Sequence, residues 1–127
     1  MKPFTRMLII MALLLGTVAT GRSQGKVADP GFESFWKTFK AAIAKNDKEA
    51  VADVTKLPFL YDSKERDRAG FIKIYPSLFT ARIRRCIATA KLVKEQENYD
   101  VFCGQLIFYF GKDSDGNYKF LEFGVND

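Results

Sequence analysis

The stretch Phe32-Glu33-Ser34-Phe35-Trp36-Lys37-Thr38-Phe39 sets four large aromatic side chains, one of them the only tryptophan, within eight residues. With Ile43 they recur at i, i+3, i+4, i+7 and i+11, the spacing of one face of an α-helix. Asp29-Pro30 ahead of them supplies an N-cap and a first-turn proline. The pattern therefore predicts a helix over residues 30–45, with Glu33, Lys37, Lys40 and Lys45 directed elsewhere. A stripe of this kind needs an apolar surface to cover it, so the four aromatics read as core. On that reading Trp36→Ala is expected to cost about 3–5 kcal/mol.

Asn46-Asp47 interrupts the helix, and Asp47 can cap a shorter one in DKEAVADVTK, with Ala50, Val51 and Val54 facing inward. Leu57-Pro58 ends it, and Phe59-Leu60-Tyr61 reads as a short extended segment. The charged run 62–68 reads as a solvated loop leading into a helix with Phe71, Ile72, Ile74 and Tyr75 apolar and Pro76 as punctuation. Arg82, Arg84 and Arg85 form a basic cluster, read as an exposed helix end or strand edge, with a phosphate or acidic ligand as the rival use.

From Cys86 the periodicity changes. Segments near 86–94, 99–110 and 118–125 are rich in β-branched and aromatic residues and are separated by EQEN and GKDSDGN, which predicts a three-stranded antiparallel meander. Symmetric pairing would set Phe110 opposite Lys119, Phe108 opposite Leu121 and Leu106 opposite Phe123. Phe102, Leu106, Phe108, Phe110, Leu121, Phe123 and Val125 would then form the core face. Val101, Cys103, Gln105, Ile107, Tyr109, Tyr118, Phe120 and Glu122 would form the other. The whole is α+β, with N-terminal helices against an antiparallel sheet.

The first residues, MKPFTRMLIIMALLLGTVATGRSQ, have a basic start, a short apolar run and a small-residue tail, the layout of a secretory signal peptide over 1–23, cleaved after Gly21 or Ser23. The apolar run falls short of the roughly 20 residues of a transmembrane helix. Residues 24–127 are the size of one domain, exported to the periplasm or beyond and off the membrane after cleavage. Losing Lys2, Arg6 and Arg22 leaves 17 basic against 15 acidic residues, a charge of +2 with no basic stripe, which argues against a nucleic-acid partner. The chain has no histidine. That excludes Ser-His and Cys-His nucleophiles, imidazole bases and histidine metal ligands.

Two cysteines, Cys86 and Cys103, suit one disulfide in an oxidising compartment, with two buried free thiols as the alternative. A hairpin centred between Lys94 and Glu95 would set them opposite each other on neighbouring strands. Asp113-Ser114-Asp115-Gly116-Asn117 is rich in oxygen ligands but lacks the EF-hand spacing, and its residues suit a hairpin turn better than calcium. Acid–base chemistry would fall to Tyr61, Tyr75, Tyr99, Tyr109 and Tyr118, or to Asp53, Asp62, Glu95, Glu97, Asp100 and Glu122. Of these carboxylates, Asp53 and Glu122 stand out by their apolar neighbours, with a solvent-facing position by alternation as the alternative.

The aromatic helix ending in Ala-x-x-x-Asn-Asp-x-x-Ala-Val (FESFWKTFKAAIAKNDKEAVADVTKLPF), and later Arg68-Ala69-Gly70-Phe71 to Phe79, resemble the opening helices of the nuclear transport factor 2-like superfamily. That superfamily includes the ketosteroid isomerase and polyketide cyclase relatives, and the closest likeness within it is to small bacterial exported proteins. The resemblance implies a cystatin-like cone: a strongly curved sheet around helices, often enclosing a pocket. It does not carry over the isomerase carboxylates and tyrosine, and a histidine-free chain lacks the cyclase pair. The resulting expectation is a non-enzymatic exported domain that binds a small apolar ligand or a protein partner, without cofactor or metal, with a homodimer left open. Tyr61, Tyr75, Phe79, Tyr109 and Glu122 are the candidate ligand residues. The rivals are an isomerase- or cyclase-type enzyme using a buried carboxylate and a tyrosine, and an inhibitor or immunity-like protein.

Overall fold

The structure, a computed structural model, describes residues 29–126. The signal peptide expected over residues 1–23 and its cleavage site lie outside these residues. Four helices and six strands follow in the order α1 (Pro30–Ala44), α2 (Lys48–Asp53), β1 (Phe59–Tyr61), β2 (Lys64–Arg66), α3 (Arg68–Leu78), α4 (Ala81–Thr89), β3 (Val93–Glu95), β4 (Asn98–Cys103), β5 (Leu106–Lys112) and β6 (Tyr118–Val125). The fold is α+β, with an antiparallel hairpin β1-β2 and an open antiparallel sheet β3-β4-β5-β6.

Each helix starts on a side-chain cap. Asp29, Asp47, Asp67 and Thr80 accept from the backbone N–H of Gly31, Ala50, Gly70 and Ile83 at 2.8, 3.1, 2.8 and 3.3 Å, satisfying donors that the first turn leaves free. The start of α1 is also clamped to the sheet. The Tyr118 hydroxyl donates to Asp29 Oδ2 at 2.9 Å, and the Asp29 N–H donates to the Tyr99 hydroxyl at 3.0 Å. The hydrogen bond from Tyr118, with that from the Gly31 N–H, holds the Asp29 carboxyl below the usual carboxylate range. Burial, reinforced by the same carboxylate, pushes the Tyr118 phenol up to about 12.

Phe32, Phe35 and Phe39 of α1 are buried against the sheet, as the stripe requires. Phe32 stacks on Tyr99 with centroids 3.7 Å apart, and Phe39 meets Phe110 edge-on at 5.1 Å. Trp36 is only half-buried, its ring edge-on to Phe110 and under the Lys40 ammonium, 5.7 Å from its centroid. Its full burial, expected from the spacing, is thereby corrected: Trp36 sits at the margin of the stripe, where the helix turns toward solvent.

Several expected elements differ. The charged run 62–68 is not all loop, because Lys64–Arg66 forms β2, joined to β1 by Asp62-Ser63 at φ 54 and 60°. Pro76 lies inside α3 rather than before its end, and the helix stops two residues later at Leu78. Being in the last turn, it disturbs little of the ladder downstream. Arg82, Arg84, Arg85 and Cys86 lie on α4 and not on a strand, because Ile83 and Ile87, four apart, turn inward. The segment 99–110 is two strands joined by Gly104-Gln105, with Gly104 at φ +64°, so the meander has four strands.

That turn sets Cys103 opposite Leu106 and sends Phe102 to the other face from Leu106, Phe108 and Phe110, correcting its assignment to the core. The β5-β6 register is also corrected, to Phe110 opposite Phe120, Phe108 opposite Phe123 and Leu106 opposite Val125. A bulge after Phe120 inserts Leu121, so that Phe120 and Phe123 both pack on the core although strict alternation separates them. Phe120, expected on the outer face, is fully buried. Cys86 and Cys103 are joined, Cα atoms 5.9 Å apart, but as a helix-to-strand bridge from α4 to the end of β4. The neighbouring-strand geometry is corrected, since the β3-β4 turn falls at Gln96-Glu97 and leaves Cys86 off the sheet.

Candidate functional site

The expected ligand residues do not converge. Tyr75 and Phe79 are core, their rings 5.0 Å apart, and burial raises the Tyr75 phenol, whose oxygen has no hydrogen-bond partner. Tyr61 is half-buried on β1, 5.8 Å from the Phe123 ring, with the Arg66 guanidinium over its own ring. Outside the core, Tyr109 and Glu122 meet, as cross-strand partners on the sheet face turned away from the helices. Asp53, the other singled-out carboxylate, is exposed and ion-paired with Arg68. The residues 113–117 form the expected turn, in which Asp113 Oδ1 accepts the N–H of Asp115 and of Asn117 at 2.9 and 3.0 Å. Among the described residues, no three His, Cys, Asp or Glu side chains are gathered as a metal site would gather them.

The outer sheet face has its own pattern. Cross-strand pairing aligns Val93, Asp100, Tyr109 and Glu122 in one row, and Phe102, Ile107 and Gly124 in the next. Phe102 is 45% and Val93 41% exposed, so two large apolar side chains of this face stand open to solvent. Glu95 and Asn98 are paired beyond the first row. Gly111 leaves room for the Asn98 side chain, and a Cβ there would also stand 2.9 Å from Leu121 Cδ1. Lys119, paired with Gly111, carries the basic group of this face, and its ammonium turns over the β6 edge to the Asp53 carbonyl at 2.9 Å.

Asp100, one of the six candidate carboxylates but without the apolar neighbours that set Asp53 and Glu122 apart, is the one that the structure buries. It is 3% exposed, and with Glu95, Gln96, Asn98 and Tyr109 it lines a cleft of about 400 Å³. Alternation with the core residues Tyr99 and Val101 points it outward, which in isolation means solvent. The β3-β4 turn and Tyr109 across the strand bury it instead. Burial, and then the neighbouring Glu95 carboxylate, raise its pKa to about 6. The folded state then holds more protons than the unfolded one between the ordinary value of 3.8 and about 6, so this group lowers stability as pH rises through that window. Asp100→Asn is therefore expected to stabilise the fold by about 1–3 kcal/mol at pH 8 and to change little at pH 4. Urea unfolding at the two pH values reads this directly; an equal effect at both would mean that the carboxyl is solvated.

A second, more apolar groove of about 700 Å³ runs beside the Cys86–Cys103 bridge, lined by Leu78, Ile83 and Leu106 with Arg82 at its rim. Among the described residues no helix is long and apolar enough to cross a membrane. No family model matches the chain, and no curated protein or solved structure is significantly similar to it.

Proposed function

We propose that this chain is an exported, non-enzymatic domain of the nuclear transport factor 2-like cone type that docks a protein partner through the outer face of its sheet. The observation that carries the docking is Phe102, 45% exposed at the end of a row with Ile107 and beside the row of Val93 and Tyr109. Adjacent apolar side chains on an uncovered sheet face are the usual signature of a partner surface. The cone assignment is supported by the order of two helices, a hairpin, further helices and an antiparallel meander. It is also supported by the pairing of Thr55 with Phe120, which brings the chain after α2 against the β6 edge.

A small apolar ligand inside the fold is the less favoured use. The space between helices and sheet is filled by Phe39, Phe79, Phe108, Phe110 and Phe120, all fully buried. An isomerase- or cyclase-type enzyme would need a buried carboxylate and a tyrosine in such an interior, whereas Asp100 and Tyr109 lie on the outer face. An inhibitor or immunity-like role is one form of the proposed docking. Export is supported by the basic-apolar-small start of the chain and by the disulfide. Mass spectrometry of the exported protein should give a chain beginning at Arg22 or Gln24; an uncleaved Met1 would overturn the signal reading.

The docking is tested by affinity capture from periplasmic extract with the wild-type chain and with Phe102→Asp. A partner held by the former should be lost by the latter, with both proteins of similar stability to urea because Phe102 lies outside the buried core and is 45% exposed. A partner retained by Phe102→Asp would overturn the assignment of this face.

A further inference from the structure

Resting on that reading, we infer that the partner inserts a basic side chain, an arginine guanidinium or lysine ammonium, into the cleft between Glu95, Asp100 and Tyr109. Asp100 is 3% exposed, lines this cleft, and has no basic partner there: the group it meets is the Glu95 carboxyl, with which it can only share a proton. A largely buried carboxylate is costly, and a second carboxylate as its neighbour, in place of a cation, raises the cost. A cation entering the cleft removes both penalties at once. The remaining lining is neutral and polar, from Gln96 and Asn98, with the half-buried Tyr109 ring as a surface for a flat cation.

The chemistry of the face selects among cations. Two carboxylates and an aromatic ring suit an organic cation, whose planar fork or three donors can bridge both oxygens. A divalent metal would look for more oxygen charge than Glu95 and Asp100 supply together. Val93, Phe102 and Ile107 lie alongside to cover the methylene stem of a long basic side chain. A second copy of this chain fits poorly, because a face carrying Glu95, Asp100 and Glu122 would meet its own like charges. The basic group on the face, Lys119, is turned away to Asp53. The groups that titrate near Asp100 are Glu95 from β3, Tyr109 from β5 and Glu122 from β6, and none of them is basic. Protons and the cation therefore compete for the same carboxyls.

The test is an amide chemical-shift titration of the exported chain with n-butylguanidinium, n-butanol and calcium chloride in parallel at pH 8. The amides of Glu95, Asp100 and Tyr109 should move with butylguanidinium and stay still with butanol and calcium. Glu95→Gln, at an exposed position where folding is not at stake, should weaken the response about fivefold, the upper range for a partly solvated ion pair. Asp100→Asn should do the same, and lowering the wild type to pH 5 should weaken it as well. A response to calcium or butanol in place of butylguanidinium, or one unchanged by Glu95→Gln, overturns the inference. Capture experiments separate it from the docking itself. If Phe102→Asp loses the partner while Glu95→Gln and Asp100→Asn keep it, the face stands and the basic side chain falls. If all three keep it, both fall.

Discussion

Phe39→Ala should lower the unfolding free energy by about 3–5 kcal/mol, the range for a fully buried aromatic side chain whose site cannot collapse. Phe39 is wholly inaccessible, and its ring lies 5.1 to 6.2 Å from those of Phe35, Trp36, Phe79, Phe110 and Phe120. These neighbours come from α1, the end of α3, β5 and β6, so no single element can move to fill the void. In a domain of this size the loss corresponds to a fall in Tm of roughly 15–30 °C. Trp36→Ala, on the same helix, should cost less, about 1–2 kcal/mol, because the indole is only partly buried at the margin of the core. Urea unfolding of the two variants measures the difference. Equal losses would contradict the burial order within the stripe.

Replacing both cysteines, Cys86→Ser with Cys103→Ser, should cost about 3 kcal/mol, from the chain entropy released when a loop of this length is opened. The bridge joins positions 17 residues apart and ties α4 to the end of β4. Its loss should be felt unevenly. α4 turns few side chains inward, Ile87 being the buried one, so hydrogen-exchange protection at Ile83 and Ile87 should fall before that of β5. Reduction of the wild type with dithiothreitol should reproduce the shift in urea midpoint. No shift on reduction would mean that packing alone holds α4.

Much of the scaffold was legible because it depends on neighbours within a few residues. The caps at Asp29 and Asp47, the first-turn Pro30 and the stripe from Phe32 to Ile43 specify α1 and α2 almost as they occur. The polar turn 113–117 and the strand after it were equally plain. α4 is foreshadowed only by the helix-end alternative for Arg82–Arg85, although Thr80 as cap and Ile83 and Ile87 at helical spacing are helical signals. The β-branched and aromatic content after Cys86 outweighed them. Gly104 was the one mark of a turn within a long apolar run, and missing it reversed the face of Phe102. The cysteine pairing was right while its geometry was wrong, since pairing followed from the count and geometry from α4.

The candidate site was harder to see than the scaffold. Tyr109 and Glu122 were drawn from the sequence and do lie together, but Tyr75 and Phe79 belong to the core. Asp100 does not stand out among the six candidate carboxylates because its strand neighbours argue for exposure, and nothing local reveals what crosses above it.

What the sequence by itself determined is the class of the protein: a histidine-free α+β domain whose aromatic helix must be covered by a sheet. These properties follow from composition and from periodicity along one element. Tertiary structure alone decided which sheet face carries Phe102, that Leu121 bulges so that Phe120 and Phe123 share the core, and that Asp100 is buried beside Glu95. Each depends on registers between strands distant in the chain. A shift of one residue there exchanges the two faces, at no cost visible within either strand.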